Sequence, residues 1–340
     1  MDWIKFPKVD LHRHLEGSLR FSTLEEIAAG PEYKAPPEDI HRLREILRLS
    51  EAERSPEAFL AKFPIIRGFF VSPEVIERLA YEAVADAAGD GLRYLELRFN
   101  PAALAEARGL SLEQAADSVI AGVRRAEADF EIALGLIITV NRAEALTAGK
   151  LLQLAADRFN DGLSGIDLAG DEVHIPADPY RDLFTEAKRH GLGITVHAGE
   201  WAGAENVRFA IENLEADRIG HGIRILEDDY TCELARERAS VFEVCITSNL
   251  QTGAVAKLEK HPLPIMVKEK GLQATLNTDD PGLSDIALSG EMKIAHKDLG
   301  FEVLELKALT MLAAERAFLA ESEKSQLKAR LEQEFRAFGL

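Results

Sequence analysis

Lys8 to Arg20 reads KVDLHRHLEGSLR. Its first half is a short strand-like run. Its second half lacks the glycine-rich phosphate turn that usually follows the first strand of an open doubly wound sheet. That absence decides between two architectures, because runs like the first recur: LRYLELRF (92–99), FEIALGLIITV (130–140), LSGIDLAG (163–170), LGITVHAG (192–199), DRIGHG (217–222), VFEVCIT (241–247) and LQATLNTD (272–279). They are rich in Val, Ile, Leu and Phe and short enough for buried parallel strands. Amphipathic stretches with start signals lie between them. SLEQ at 111 is a capping box, and SPE at 55 and at 72 sets a serine cap before a proline at the first helical position. Eight strands alternating with helices predict an α/β fold, a closed (β/α)8 TIM barrel.

The connection between the first two strands is longer than one helix needs. From about residue 17 to 90 it holds several helical patterns, and extra helices on a barrel loop commonly sit over the mouth as a lid. In SPEAFLAKFPIIRGFF (55–70), Phe59, Leu60 and Phe63 share one helical face. That face suits either a lid or a helix packed onto the barrel. The segment from about 301 to 340 reads as helix. No low-complexity linker or abrupt change of composition interrupts the chain. Residues 1–340 therefore read as one barrel domain with a helical lid insertion and C-terminal helices.

The chain has 340 residues, 46% of them hydrophobic, enough for a sizeable core. Forty basic against 58 acidic side chains give a net charge of −18, which disfavours nucleic acid and anionic membranes as partners. Cys232 and Cys245 form no CxxC motif, so we expect free thiols in a reducing compartment. The start, MDWIKFPKVD, lacks the basic-then-apolar pattern of a signal peptide. The apolar run from Ile132 to Val140 is too short to span a bilayer. A cytoplasmic globular protein is the expectation; the oligomeric state is not set by these features.

Polar residues gather at the C-terminal ends of the predicted strands. His12 and His14 close the first. Gly170, Asp171 and Glu172 follow the fourth, His197 and Glu200 the fifth, His221 the sixth, Ser248 and Asn249 the seventh. Asp279 and Asp280 end the eighth. In a closed barrel these ends converge on one face. His12 and His14 are two apart in a strand, so both side chains leave by the same face. A lone strand histidine is more often a hydrogen-bonded core residue. Two imidazoles projecting together make a poor core and half a metal site. His197 and a carboxylate would complete a set that suits zinc. A cation would also relieve the repulsion within TDD, one aspartate binding it while the other stays ionised. His221 sits between two glycines, which leaves room for substrate near the backbone. Together with Glu200 it supplies acid–base equipment for hydrolysis at an electrophilic carbon. No serine-nucleophile elbow, P-loop, zinc-protease helix or HxE…PCxxC deaminase signature is present.

KVDLHRHLEGSLR, DLAGDE, TVHAGE, RIGHGIRILED, CITSNLQTGAVAKLEKHP and LNTDDPG, in that order, resemble the adenosine deaminase-like family of the amidohydrolase superfamily. FLAKF and YEAVADAAGDGLRYLELRFNP extend the likeness from about Pro7 to the C-terminal helices. The resemblance implies one zinc ion per chain, held by His12, His14, His197 and Asp279. It implies that Glu200 protonates purine N1 and that His221 acts as base and electrostatic partner for the attacking water. Asp280 would orient that water and bond to N7, and the Gly170 backbone would meet N3. His14 is also placed against the substrate, with Phe59 and Phe63 over it. Attack at C6 would release ammonia from a purine nucleoside. DLAGDE carries no lysine to bridge two metals, so the site would be mononuclear. One departure stands out: the family usually has Asp where this chain has Glu16, the position that contacts the ribose 5′-hydroxyl. Relatives acting on adenine or 6-aminodeoxyfutalosine often carry Glu there. SNLQTGAV and FLAKF favour adenosine and 2′-deoxyadenosine instead.

Overall fold

The computed structural model describes residues 1–31, 33, 42–48, 53–106 and 109–340. Eight parallel strands form one sheet in sequential order: β1 (Lys8–His14), β2 (Leu92–Phe99), β3 (Ala133–Asn141), β4 (Leu163–Ala169), β5 (Gly193–Ala198), β6 (Arg218–His221), β7 (Val241–Val244) and β8 (Gln273–Leu276). Each predicted run holds one of them, with β3 ending one residue beyond its run at Asn141. Their side chains are buried on both faces, as sequence runs with little alternation require.

The seam between β8 and β1 makes this sheet a barrel, and the quartet at 277–280 makes the seam. Asn277 Oδ1 accepts from the Leu11 N–H at 2.9 Å, standing in for a backbone carbonyl. Thr278 donates its hydroxyl to Asp10 at 2.6 Å. The Asp279 N–H donates to the His12 carbonyl and its own carbonyl accepts from the His14 N–H, both at 2.8 Å. Asp279 reaches this position with φ of 66°, uncommon for a non-glycine residue.

The opposite end of the barrel is plugged. Arg218 pairs with Glu96 and lies 3.6 Å from the Phe318 ring centroid. Lys8 donates to the carbonyls of Trp3, Ile4 and Phe6 at 2.7, 3.0 and 2.7 Å. The C-terminal helices Val303–Arg316 and Glu321–Ala337 pack over this end, with Phe335 5.1 Å from Phe6.

Ser111 and Gln114 form the predicted capping box. Ser55 and Ser72 cap their helices through Ala58 and Val75. Between β1 and β2 lie helices Phe21–Ala28, Leu43–Leu47, Pro56–Leu60, Phe63–Arg67 and Pro73–Gly89. The face predicted through Phe59, Leu60 and Phe63 spans two short helices rather than one. Pro64 has no N–H for the carbonyl of Leu60, so the helix breaks there. Parts of the 17–90 insertion lie outside the described residues. Among the described residues no helix is long and apolar enough to cross a membrane.

Candidate active site

The strand ends converge on a cavity of about 370 Å3 at the open mouth. His14, Glu16, Phe59, Phe63, Gly170, His197, Glu200, His221, Asp279 and Asp280 all line it. His12 sits just beneath, fully buried. Every residue singled out in the sequence is thus within this one neighbourhood.

His12, His14, His197 and Asp279 offer four donor atoms within 4.8 Å of one another. His14 Nε2 and His197 Nε2 are 3.3 Å apart. Asp279 Oδ1 is 3.2 Å from His12 Nε2 and 3.3 Å from His14 Nε2. A tetrahedral ion with bonds of about 2.0–2.1 Å sets its donors roughly 3.3 Å apart. These atoms therefore fit around one ion better than around one another. The buried His12 Nε2 has no hydrogen-bond partner, which is what a ligand lone pair looks like.

The shell behind the ligands fixes which nitrogen faces the cavity. His12 donates Nδ1–H to Glu243 at 2.8 Å, and His197 donates Nδ1–H to Asp167 at 3.0 Å. Each bond leaves Nε2 bare. Glu243 also accepts from Arg98 at 2.9 Å and from Thr195 at 3.1 Å, and it pairs with Arg218. Against the cost of burial, Arg98 and Arg218 hold the Glu243 carboxyl well below the usual carboxylate range. His197 and Arg98 do the same for Asp167.

This shell corrects one expectation. Polar residues do not sit only at strand ends: Asp10, Glu96, Arg98, Asp167 and Glu243 lie within strands and are fully buried. The carboxylates are balanced there by Arg98, Arg218 and Arg13. The signal was a charged residue in the middle of an apolar run, which is tolerable only if paired. A second correction concerns GHG. A Cβ on Gly220 would come within 3.0 Å of His12 and 3.2 Å of His197, and one on Gly222 would strike the Phe242 ring. The glycines make room for the His12 and His197 imidazoles and a core ring, not for substrate.

Three further residues carry the site. Glu172 accepts from the backbone N–H groups of Gly199, Glu200, Trp201 and Ala202, with distances of 2.8, 2.8 and 3.0 Å to the first, second and last. It pins the turn that presents Glu200. Ser248 donates to Asp279 Oδ2 at 2.6 Å, leaving Oδ1 for the cluster. Asn249 lies 3.1 Å from His221 Nδ1, while its own buried Oδ1 has no partner. Turning that amide over lets Oδ1 accept the His221 Nδ1–H and leaves Nε2 as a base. His221 Nε2 faces Glu200 at 3.6 Å and Asp279 at 3.8 Å, and φ of 59° aims it there.

Burial pushes the Glu200 carboxyl well above its ordinary value, helped by the charges of Asp279 and Glu172. Burial likewise keeps the His221 imidazole neutral, well below its usual value. An acid whose protonated form is favoured and a neutral base, 3.6 Å apart at the wall of one cavity, suit proton transfer in both directions.

The comparisons with known proteins agree with this geometry. Residues 7–334 match the Adenosine deaminase family model. The chain belongs to the adenosine deaminase family. An adenosine deaminase of Klebsiella pneumoniae is 37% identical over 327 residues, 96% of this chain and 97% of that one. An adenine deaminase from Arthrobacter aurescens superposes with a TM-score of 0.89 at 27% identity, covering 97% and 99% of the two chains. An amidohydrolase from Burkholderia ambifaria, solved with bound zinc, gives 0.91 at 26% identity, covering 99% and 93%. Family membership makes this chain a hydrolase on a TIM barrel, as the sequence resemblance implied.

Gly17 links the strand end to the second aspartate. A Cβ there would overlap Asp280 Oδ1. Gly17→Ala is expected to displace Asp280 and lower kcat/KM about 10²-fold, the scale of a roughly 1 Å misplacement. Steady-state kinetics with metal analysis check this; unchanged kinetics would free Asp280 of any positional demand.

Proposed function

We propose that this chain is a zinc-dependent enzyme converting adenosine and 2′-deoxyadenosine to inosine and 2′-deoxyinosine, with release of ammonia. The observation that carries the reading is the four-donor cluster spaced for one ion beside a buried acid and a neutral histidine. One zinc ion per chain would be held by His12, His14, His197 and Asp279. Bound there, zinc supplies Lewis acidity and makes water acidic enough to lose a proton near neutral pH.

The chain's own residues do the rest. His221 accepts the water proton through Nε2. Asp280, whose Oδ1 is buried and without a partner, orients the water and meets purine N7. Glu200 delivers its proton to N1 as the water oxygen bonds to C6, which becomes tetrahedral. The C6–N bond then breaks as His221 passes its proton to the amine, which leaves as ammonia, and the C6 hydroxyl proton returns to Glu200. The Gly170 backbone meets N3; its φ of 101° and the nearby Asn141 side chain leave no place for a Cβ. Phe59 and Phe63 cover the base, Phe59 edge-on to Trp201 at 6.4 Å. The two free, buried cysteines fit action in the cytoplasm.

Glu16 supports a second reading, a deaminase of adenine or 6-aminodeoxyfutalosine. The cavity, however, runs on past the metal cluster to Glu16, Arg67 and Asn100. Free adenine has no use for those polar groups. Ammonia release from adenosine, 2′-deoxyadenosine, adenine and 6-aminodeoxyfutalosine tests the choice. We expect kcat/KM highest for the two nucleosides. A preference for either of the others would replace this reading.

A further inference from the structure

We infer that Arg67 is a specificity-determining residue that, with Glu16, clamps the 5′-hydroxyl of the nucleoside, while Glu16 turns away a 5′-phosphate. The inference rests on the nucleoside reading above.

Glu16 follows β1 and is 4% exposed. Its Oε1 accepts from the Asn100 N–H at 3.0 Å, while Oε2 is buried and has no partner. Arg67 ends the helix Phe63–Arg67 in the insertion and lines the same cavity. Its Nε is also buried without a partner. Among the described residues no carboxylate lies within 4.0 Å of the Arg67 guanidinium, although its charge is close enough to act on Glu16. A carboxyl group and a guanidinium thus face one cavity without meeting.

A group seated between them must donate to Glu16 and accept from Arg67. A hydroxyl does both, with one donor and two acceptor lone pairs. A phosphate offers Arg67 good acceptors but sets its charge against Glu16. Glu144 stands behind, accepting from Asn100 Nδ2 at 2.8 Å, and adds to that repulsion. A methyl group serves neither partner and leaves both polar atoms desolvated. The two halves also come from different parts of the fold, Glu16 from the barrel and Arg67 from the inserted helices. A bridging hydroxyl therefore ties the insertion to the mouth.

The test compares kcat/KM for adenosine, 5′-deoxyadenosine and adenosine 5′-monophosphate in wild type, Arg67→Leu, Arg67→Gln, Glu16→Gln and the double variant Glu16→Gln/Arg67→Leu. Zinc content and melting temperature are measured on each. Removing the 5′-hydroxyl from the substrate should cost wild type about 10- to 100-fold, the worth of hydrogen bonds to charged groups. In both Arg67 variants that preference should fall to a few-fold. Glu16→Gln should raise the monophosphate-to-adenosine ratio about 10-fold, and Arg67→Leu in the same chain should cancel the gain. If the Arg67 variants lose activity equally on adenosine and 5′-deoxyadenosine, Arg67 only packs the insertion and the inference falls. A wild type that turns over no nucleoside would instead overturn the proposed function, so the two failures differ.

Discussion

Asp279→Asn will fold with a near-native melting temperature, bind far less zinc and lose activity by roughly 10³-fold or more, the scale of a missing metal centre. Two properties of Asp279 separate here. Its backbone closes the barrel through His12 and His14 with φ of 66°. Its side chain meets the histidine cluster, with Oδ2 held by Ser248 at 2.6 Å. Asn tolerates the left-handed conformation and keeps the shape, but its amide is a poor ligand. Asp279→Ala should lose the metal as well and also stability, because Ala in that conformation costs about 1–2 kcal/mol. His14→Ala should lose metal and activity without the stability cost. Metal analysis, melting curves and turnover on the three variants give the answer. Full activity in a rigorously metal-free preparation would overturn the assignment.

The barrel was legible because strands buried on both faces must be written in nearly unbroken apolar residues, and those runs cannot easily be anything else. The site was legible because a closed barrel brings strand ends together whatever their separation in sequence. The shell behind the site was not. Arg98 and Glu243 are 145 positions apart and 2.9 Å apart in space. Nothing in LELRF or VFEV names the other. A buried charge announces that it has a partner without saying which. Glu172 was visible as a polar residue after the fourth strand, but its work is done on backbone N–H groups, and these leave no mark on the side chains of the fifth strand's loop. The course of the helix under the apolar face was hidden for a different reason. The apolar period through Phe59 and Phe63 is real, and both residues reach the cavity. Pro64 broke the helix that the period implied. The glycines of GHG were correctly seen as space. Only the structure says that the space belongs to His12, His197 and Phe242.

Glu200→Gln is the sharper test of chemistry, since it should leave the metal in place and still lower turnover about 10²-fold or more. Glu200 is 4% exposed, and its carboxyl is pushed up first by burial and then by Asp279 and Glu172. Its protonated form is therefore favoured and can give a proton to a ring nitrogen, which Gln cannot do with the same driving force. The amide keeps the length and can still accept from Thr252, the contact that Glu200 makes at 3.3 Å. Its own turn stays pinned by Glu172, so position should survive the substitution. The pH dependence carries a sign. A raised pKa means the donating form is present below that value, so wild-type kcat should fall as pH rises through it. Glu200→Gln should lack that limb while its remaining activity follows His221 alone. Zinc content, kcat and its pH profile on one variant decide the matter. If zinc were lost and turnover returned on refilling the site, Glu200 would be a structural support for the cluster, and N1 would have to take its proton from elsewhere.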